Sequence, residues 1–265
     1  MNKKLCLSIG LLLSSVSQSY AADTENLAKQ LSNPVAAMVS VPFQFNYDEK
    51  IGANENIERY QLNIQPVIPI SLNEDWNLIS RTVLPVLYQT YGDSQKFDDW
   101  GTGDIVQSFF FSPVKSGPGG IIWGIGPAML LPTASEKTLG ADQWGLGPTA
   151  VALKQKNGWT FGALANHIWA VEHKDNTEGI NSTFFQPFVS YTYPSSLTLA
   201  LNSEITYDWN SKDATVPINV TATKIVNLNG QLISVGGGVR YWADDTTGSA
   251  KEWGGRLIAS FIFPK

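Results

Sequence analysis

Beyond residue 37, apolar and polar side chains take turns along the chain. In Ser196–Asp208 one face holds Leu197, Leu199, Leu201, Ile205 and Tyr207; the other holds Thr198, Ala200, Asn202, Glu204, Thr206 and Asp208. In Ile57–Ile70, Tyr60, Leu62, Ile64, Pro66, Ile68 and Ile70 oppose a face that begins Arg59, Gln61, Asn63, Gln65. In Val39–Tyr47, Val39, Val41, Phe43, Phe45 and Tyr47 oppose Ser40, Pro42, Gln44 and Asn46. Successive side chains of an extended chain point to opposite faces, so such runs read as strands with one apolar and one polar side. The pattern predicts twelve strands, at roughly 37–48, 57–70, 76–90, 103–112, 120–132, 143–155, 158–171, 182–193, 196–208, 215–226, 230–243 and 253–263. Those at 76–90, 103–112 and 143–155 alternate poorly.

The connections alternate in character too. The odd-numbered ones (49–56, 91–102, 133–142, 172–181, 209–214 and 244–252) are long and carry most of the acidic residues. The even-numbered ones are tight turns at Leu72–Asp75, Gln155–Asn157, Pro194-Ser195 and Asn227–Asn229, with only Ser112–Gly119 longer. Long outer loops and short periplasmic turns are the pattern of an outer-membrane barrel, and an even strand number leaves both chain ends in the periplasm. All nine tryptophans fall at strand ends or in a loop. Trp76, Trp123 and Trp159 lie at the periplasmic ends. Trp144, Trp169, Trp209, Trp242 and Trp253 lie at the outer ends, with Trp100 in an outer loop. Two girdles of amphipathic rings suit the two water–lipid interfaces, whereas a soluble β-sandwich would hold its tryptophans in mid-strand. The predicted fold is all-β, a transmembrane antiparallel up-and-down barrel of about twelve strands. Leu257, Ala259, Phe261 and Phe263 form one face of the last strand, although Pro264 and Lys265 follow the final aromatic.

Composition sharpens this. Lys3 and Lys4, the apolar stretch Leu5–Val16 and Ser19-Tyr20-Ala21 make residues 1–21 a cleavable secretory signal. The stretch is short of the roughly 20 residues that span a bilayer. Residues 22–36 read as a periplasmic segment that could lie across the barrel mouth as a plug, and 37–265 as the barrel. Mean hydropathy is too low for a bundle of membrane helices. Lys+Arg 18 against Asp+Glu 23 gives −5, and removing the two lysines of the signal leaves 16 against 23, or −7. No basic excess exists to clamp phosphates, so nucleic acid is not an expected partner. The one cysteine, Cys6, falls in the signal, so disulfides, thiolate catalysis and cysteine-held metals are not expected in the mature chain.

Little chemistry is visible. A lipolytic barrel would need a histidine held beside a serine and an asparagine; His167 sits on a strand near Trp169, and His173 in a loop near Asn181 and Ser182. Asp98-Asp99-Trp100-Gly101-Thr102-Gly103-Asp104 lacks the spacing and closing glutamate of a calcium loop. Gly236-Gly237-Gly238 lacks the lysine of a phosphate cradle. No catalytic, cofactor or metal site is expected. The four arginines, Arg59, Arg81, Arg240 and Arg256, all lie in strands. A lipid-facing arginine costs about 2–4 kcal/mol at mid-membrane, so they should face the lumen. The lumen-lining set is then Arg59, Gln61, Asn63, Gln65, Arg81, Asn202, Glu204, Arg240 and Arg256. Arg59, Arg240 and Arg256 would share an arc near the outer mouth and favour anions. Asp48, Glu49 and Asp244 could instead neutralise them.

Several spaced motifs carry a resemblance. They are Asn33-Pro34-Val35, Val41-Pro42-Phe43-Gln44-Phe45-Asn46-Tyr47, Gln65-Pro66-Val67-Ile68-Pro69, Ser80-Arg81-Thr82-Val83-Leu84-Pro85 and Gly101-Thr102-Gly103-Asp104-Ile105. Phe110-Phe111-Ser112-Pro113, Gly126-Pro127, Leu131-Pro132-Thr133, Gly147-Pro148-Thr149, His167-Ile168-Trp169 and Gln186-Pro187-Phe188 continue the series. Through them the chain resembles the meta-pathway phenol-degradation family of outer-membrane proteins, often labelled transporters. The resemblance implies an outer-membrane barrel for passive uptake of small solutes, with aromatic or hydrophobic compounds as cargo, and defines no catalytic residues. A closed structural or adhesive barrel is the alternative, and an outer-membrane hydrolase a more distant one. The expected partners are outer-membrane lipid, lipopolysaccharide bridged through acidic loops, the barrel-assembly machinery and a small solute.

Overall fold

The computed structural model describes residues 24–52, 54–91, 98–171, 178–244 and 249–264. Residues 1–21, expected to be a secretory signal, and His173 lie outside them. Twelve strands follow one another: β1 (Val39–Ile51), β2 (Ile57–Ile64 and Val67–Ser71), β3 (Trp76–Tyr91), β4 (Asp99–Thr102 and Ile105–Pro113), β5 (Ile121–Leu131) and β6 (Gly145–Lys156). Then come β7 (Trp159–Ala170), β8 (Asn181–Thr192), β9 (Leu197–Ser203 and Ile205–Asp208), β10 (Asp213–Thr215 and Pro217–Leu228), β11 (Gln231–Trp242) and β12 (Glu252–Phe263). Each pairs antiparallel with the next, and β12 returns to β1 in register from Val39↔Phe263 to Tyr47↔Gly255. The ladder therefore has no free edge, the condition for strands to stand in hydrocarbon.

The interruptions have local causes. β2 breaks at Gln65-Pro66 and β9 at Glu204, opposite Pro217; a proline has no N–H to give the ladder. Register is kept across both, because Pro66 O accepts from Thr82 N and Pro217 O from Glu204 N. At Gly103-Asp104 the pairing of β4 with β3 shifts by one residue, a bulge. β4 begins earlier than the alternation indicated: Trp100 pairs with Tyr88 within the sheet and does not lie in a loop. At the end where β1 starts and β12 finishes, Asn157-Gly158 and Asn229-Gly230 close two hairpins with φ of 51° and 83°, and 52° and 91°. These are the paired positive φ values of the two-residue turn that matches strand twist.

The outward face is apolar and exposed, as at Phe111, Ile125, Leu146, Leu201, Val239 and Leu257. Aromatic clusters ring both ends of it. Trp76–Trp123 and Trp159–Tyr191 lie at the periplasmic end, Tyr47–Tyr60–Tyr88, Tyr207–Trp209 and Tyr241–Trp253 at the other. Trp242 is an exception. It shares the inward face with Arg240 and donates from Nε1 to Asp48 Oδ1 at 2.8 Å.

The inward face is polar on some strands and apolar on others. Ile79, Phe110, Val151, Leu153 and Leu164 form a buried cluster inside the barrel with Val35, against which Phe184 and Phe188 pack. A second cluster joins Ala28, Ala36 and Met38 to Ile225 and Ile262. Residues 24–31 are helical, and with the stretch to Met38 they lie inside the periplasmic end of the barrel. Lys29 O accepts from Gln155 Nε2 of β6 at 2.7 Å.

Candidate functional site

The lumen holds two chambers. One, toward the loop end, has a volume of about 500 Å³. Polar side chains (Asn63, Gln65, Asn166, Gln186, Glu204, Thr206) and apolar ones (Val83, Val106, Leu130, Ile168, Phe184) share its wall. The other, about 260 Å³, lies between the N-terminal segment and the wall, where Ala28, Leu31, Ala36 and Met38 face Asn202, Thr221 and Ser260. Gln44, Gln65, Arg81 and Gln186 line both and so stand between them.

Above and around the outer chamber runs a charged network. Glu204, where β9 is interrupted, accepts two hydrogen bonds from Arg256, Nη1 to Oε1 at 2.9 Å and Nη2 to Oε2 at 2.8 Å. Arg256 Nε donates to Asn46 Oδ1 at 2.7 Å. Arg240 stands between two carboxylates, Nε 3.5 Å from Asp48 and Nη2 3.7 Å from Glu204. Its guanidinium lies 4.6 Å from the centre of the Trp242 ring, a cation–π contact. Arg59 faces Asp48 across the β1–β2 ladder and donates from Nε to Gln89 Oε1 at 2.7 Å. Arg81 Nη2 donates to Gln65 Oε1 at 3.0 Å. Among the described residues neither Arg59 nor Arg81 has a carboxylate within 4 Å.

The network thus brings Arg59, Arg81, Arg240, Arg256 and Glu204 into one interior, with four guanidiniums against the two carboxylates of Asp48 and Glu204. Asp208 adds a charge at the chamber rim. Gln61 and Asn63 bond each other at 2.8 Å on the same side of β2. Asn202 accepts from Asn219 Nδ2 at 2.8 Å and lines the inner chamber. Of the carboxylates considered as neutralisers, Asp48 does meet an arginine. Glu49 instead accepts from Tyr47 Oη, and Asp244 from Val216 N. Asn46, Gln89, Gln186 and Trp242 also belong to the interior, although none is in the predicted lumen set and the sequence pattern puts Trp242 in the outer girdle. Asn46 and Trp242 share the parity of Gln44 and Arg240, which would have placed them; Gln89 lies on a strand whose two faces are hard to tell apart.

The other candidates have structural partners. Asp104, at the bulge, accepts from Ala134 N and Ala141 N and so ties down the loop between β5 and β6. Asp98 and Asp99 accept from Tyr88 and Tyr91. Among the described residues no group of three or more histidine, cysteine or acidic side chains could hold a metal. His167 Nδ1 meets Thr183 Oγ1 at 2.7 Å rather than a serine, on the outward face against Trp169. A Cβ on Gly236 or Gly238 would fall 2.0 or 1.9 Å from a carbonyl oxygen of β10, so these glycines serve the close approach of two strands.

No protein-family model matches the chain, and no curated protein matches it. Solved structures do. An outer-membrane channel from Pseudomonas putida F1 matches with a TM-score of 0.67 at 14% identity, over 86% of this chain and 96% of that one. Outer membrane phospholipase A from Escherichia coli gives 0.47 at 9% identity, over 84% and 96%. The β domain of a Bordetella autotransporter gives 0.47 at 11%, over 86% and 100%. The fold is that of an outer-membrane β-barrel with twelve strands, and its place is the cell outer membrane.

Proposed function

We propose that this barrel is a channel through which small solutes cross the outer membrane passively, with residues 24–38 closing its periplasmic mouth at rest. The chamber of about 500 Å³ carries the reading: its wall mixes amides and apolar side chains, and it leads to a second space bounded by the N-terminal segment. A chamber of that size holds one small molecule, since ligand pockets run about 300–1,000 Å³. Its apolar half, with Val106, Ile168 and Phe184, suits the aromatic or hydrophobic cargo that the family resemblance implies. The likeness to a Pseudomonas putida outer-membrane channel adds support at the level of fold. The interior arginines would serve as the selective lining of such a path.

A closed structural barrel is the competing reading, favoured by the buried apolar cluster of Val35, Ile79, Phe110, Val151 and Leu164 inside the barrel. Single-channel recording in planar bilayers separates the two. The full chain should give small, discrete conductance steps, and removal of residues 24–36 should enlarge them several-fold. Equal steps in the two proteins would overturn the plug. Silence in both, with folded barrels, would leave the closed barrel.

A further inference from the structure

Among the described residues, Arg81 is the interior cation without a carboxylate within 4 Å that lines both chambers. Its one hydrogen-bond partner among the described residues is a neutral amide, Gln65 Oε1 at 3.0 Å. Arg256 is bound to Glu204 and Asn46, and Arg240 stands between Asp48 and Glu204; Arg59 resembles Arg81 in having a neutral amide, Gln89, as its partner, but it lines neither chamber. Glu204, the acid of the same chamber, is held by the fork of Arg256 and makes no ion pair with Arg81 within 4 Å. A guanidinium taken out of bulk water needs an anion or several acceptors. Arg81 is nonetheless not sealed: none of its nitrogens is both buried and without a partner. Its remaining donors therefore face the two chambers it lines.

The surroundings indicate what would complete it. Three amides, Gln44, Gln65 and Gln186, share the position between the chambers and bring no negative charge. On the outer side Val83, Val106 and Phe184 offer an apolar wall. A planar fork of N–H donors fits a carboxylate in two parallel hydrogen bonds. A single available guanidinium suits one negative charge better than the two of a phosphate monoester. We infer that Arg81 is the docking point for the carboxylate of a small monocarboxylic acid, whose apolar body lies against the Val83–Val106–Phe184 side of the outer chamber. This rests on the channel reading and names the class of solute.

Benzoate serves as the probe, with benzamide and benzyl alcohol as neutral counterparts. Binding to the folded full chain in detergent is followed by calorimetry, and block of the ion current is followed in bilayers. Benzoate should bind about tenfold or more tightly than either neutral probe, the difference a charge-assisted pair makes. Arg81→Gln should abolish that preference, while Lys50→Gln, at the exposed rim, should leave it intact. Gln65→Glu sets a carboxylate on the atom Arg81 already touches and should weaken benzoate about tenfold. It also keeps the test open if Arg81→Gln does not fold. Equal binding of benzoate and benzamide, or unchanged benzoate binding in folded Gln65→Glu or Arg81→Gln, would overturn the site. Conductance without benzoate block would remove the site and keep the channel. Benzoate binding in a barrel that never conducts would keep the site and remove the channel.

Discussion

Glu204 is the residue on which the interior charges converge, with Arg256 bound through both oxygens and Arg240 3.7 Å away. Removing one partner of a buried pair leaves the other charge uncompensated, at a cost of about 3–5 kcal/mol. Glu204→Gln should therefore lower stability by about that amount in urea titrations of the barrel in lipid vesicles, followed by tryptophan emission. Arg256→Gln should act in the same direction, since Asn46 and Glu204 both lose their donor. Arg59 differs: its hydrogen-bond partner is the neutral Gln89. Arg59→Gln should fold normally and shift the reversal potential in a salt gradient toward cations, because arginine in a confined pore favours anions. An unchanged potential would make Arg59 a brace between β2 and β3 and nothing more. The arginines that looked alike in the sequence thus divide into a structural pair and two with little ionic compensation.

At the scale of strands, legibility followed the chemistry of the inward face. β1, β2 and β9 have polar inner and apolar outer sides, so alternation disclosed these strands; Arg81, Arg240 and Arg256 lie on other strands, and the cost of an arginine in lipid was the signal for them. β3, β4 and β6 alternate poorly because their inner face is also apolar: Ile79, Phe110, Val151 and Leu153 meet in the interior cluster. A strand buried on one side and in lipid on the other presents no polar face to read. The segment before Asn33 is polar in composition, and its packing contacts come from Ala28 with the partly buried Leu27 and Leu31, too few to announce packing. The β10–β11 pair can be tested directly. Gly238→Val would set a side chain against Val220 O, where even a Cβ falls at 1.9 Å, and should abolish the folded, fast-migrating form on unboiled gels; a normal yield would mean that the strands can separate there. Sidedness is a second test. Ser135→Cys, in an exposed loop, should react with a membrane-impermeant maleimide on whole cells, and Asn229→Cys, in the opposite turn, should not. Asn176 and Thr246, which the sequence pattern assigns to outer connections, lie outside the described residues.

For the molecule as a whole, closure decides behaviour. Every strand has two neighbours, so the barrel should resist SDS until boiled and then migrate more slowly; identical migration with and without boiling would contradict a closed ladder. The closing seam joins Val39 to Phe263, 224 positions apart (263 − 39). Such a contact carries among the largest loop-closure costs the chain can incur, and contacts of long sequence separation make folding slow. No stretch that lacks β1 or β12 can shut the wall in this way. Until β12 arrives, β1 and β11 each present an unsatisfied edge, a template for aggregation. A chain truncated before Glu252 should therefore accumulate as protease-sensitive or aggregated material rather than as a smaller pore, and the order of events in biogenesis is set by the seam.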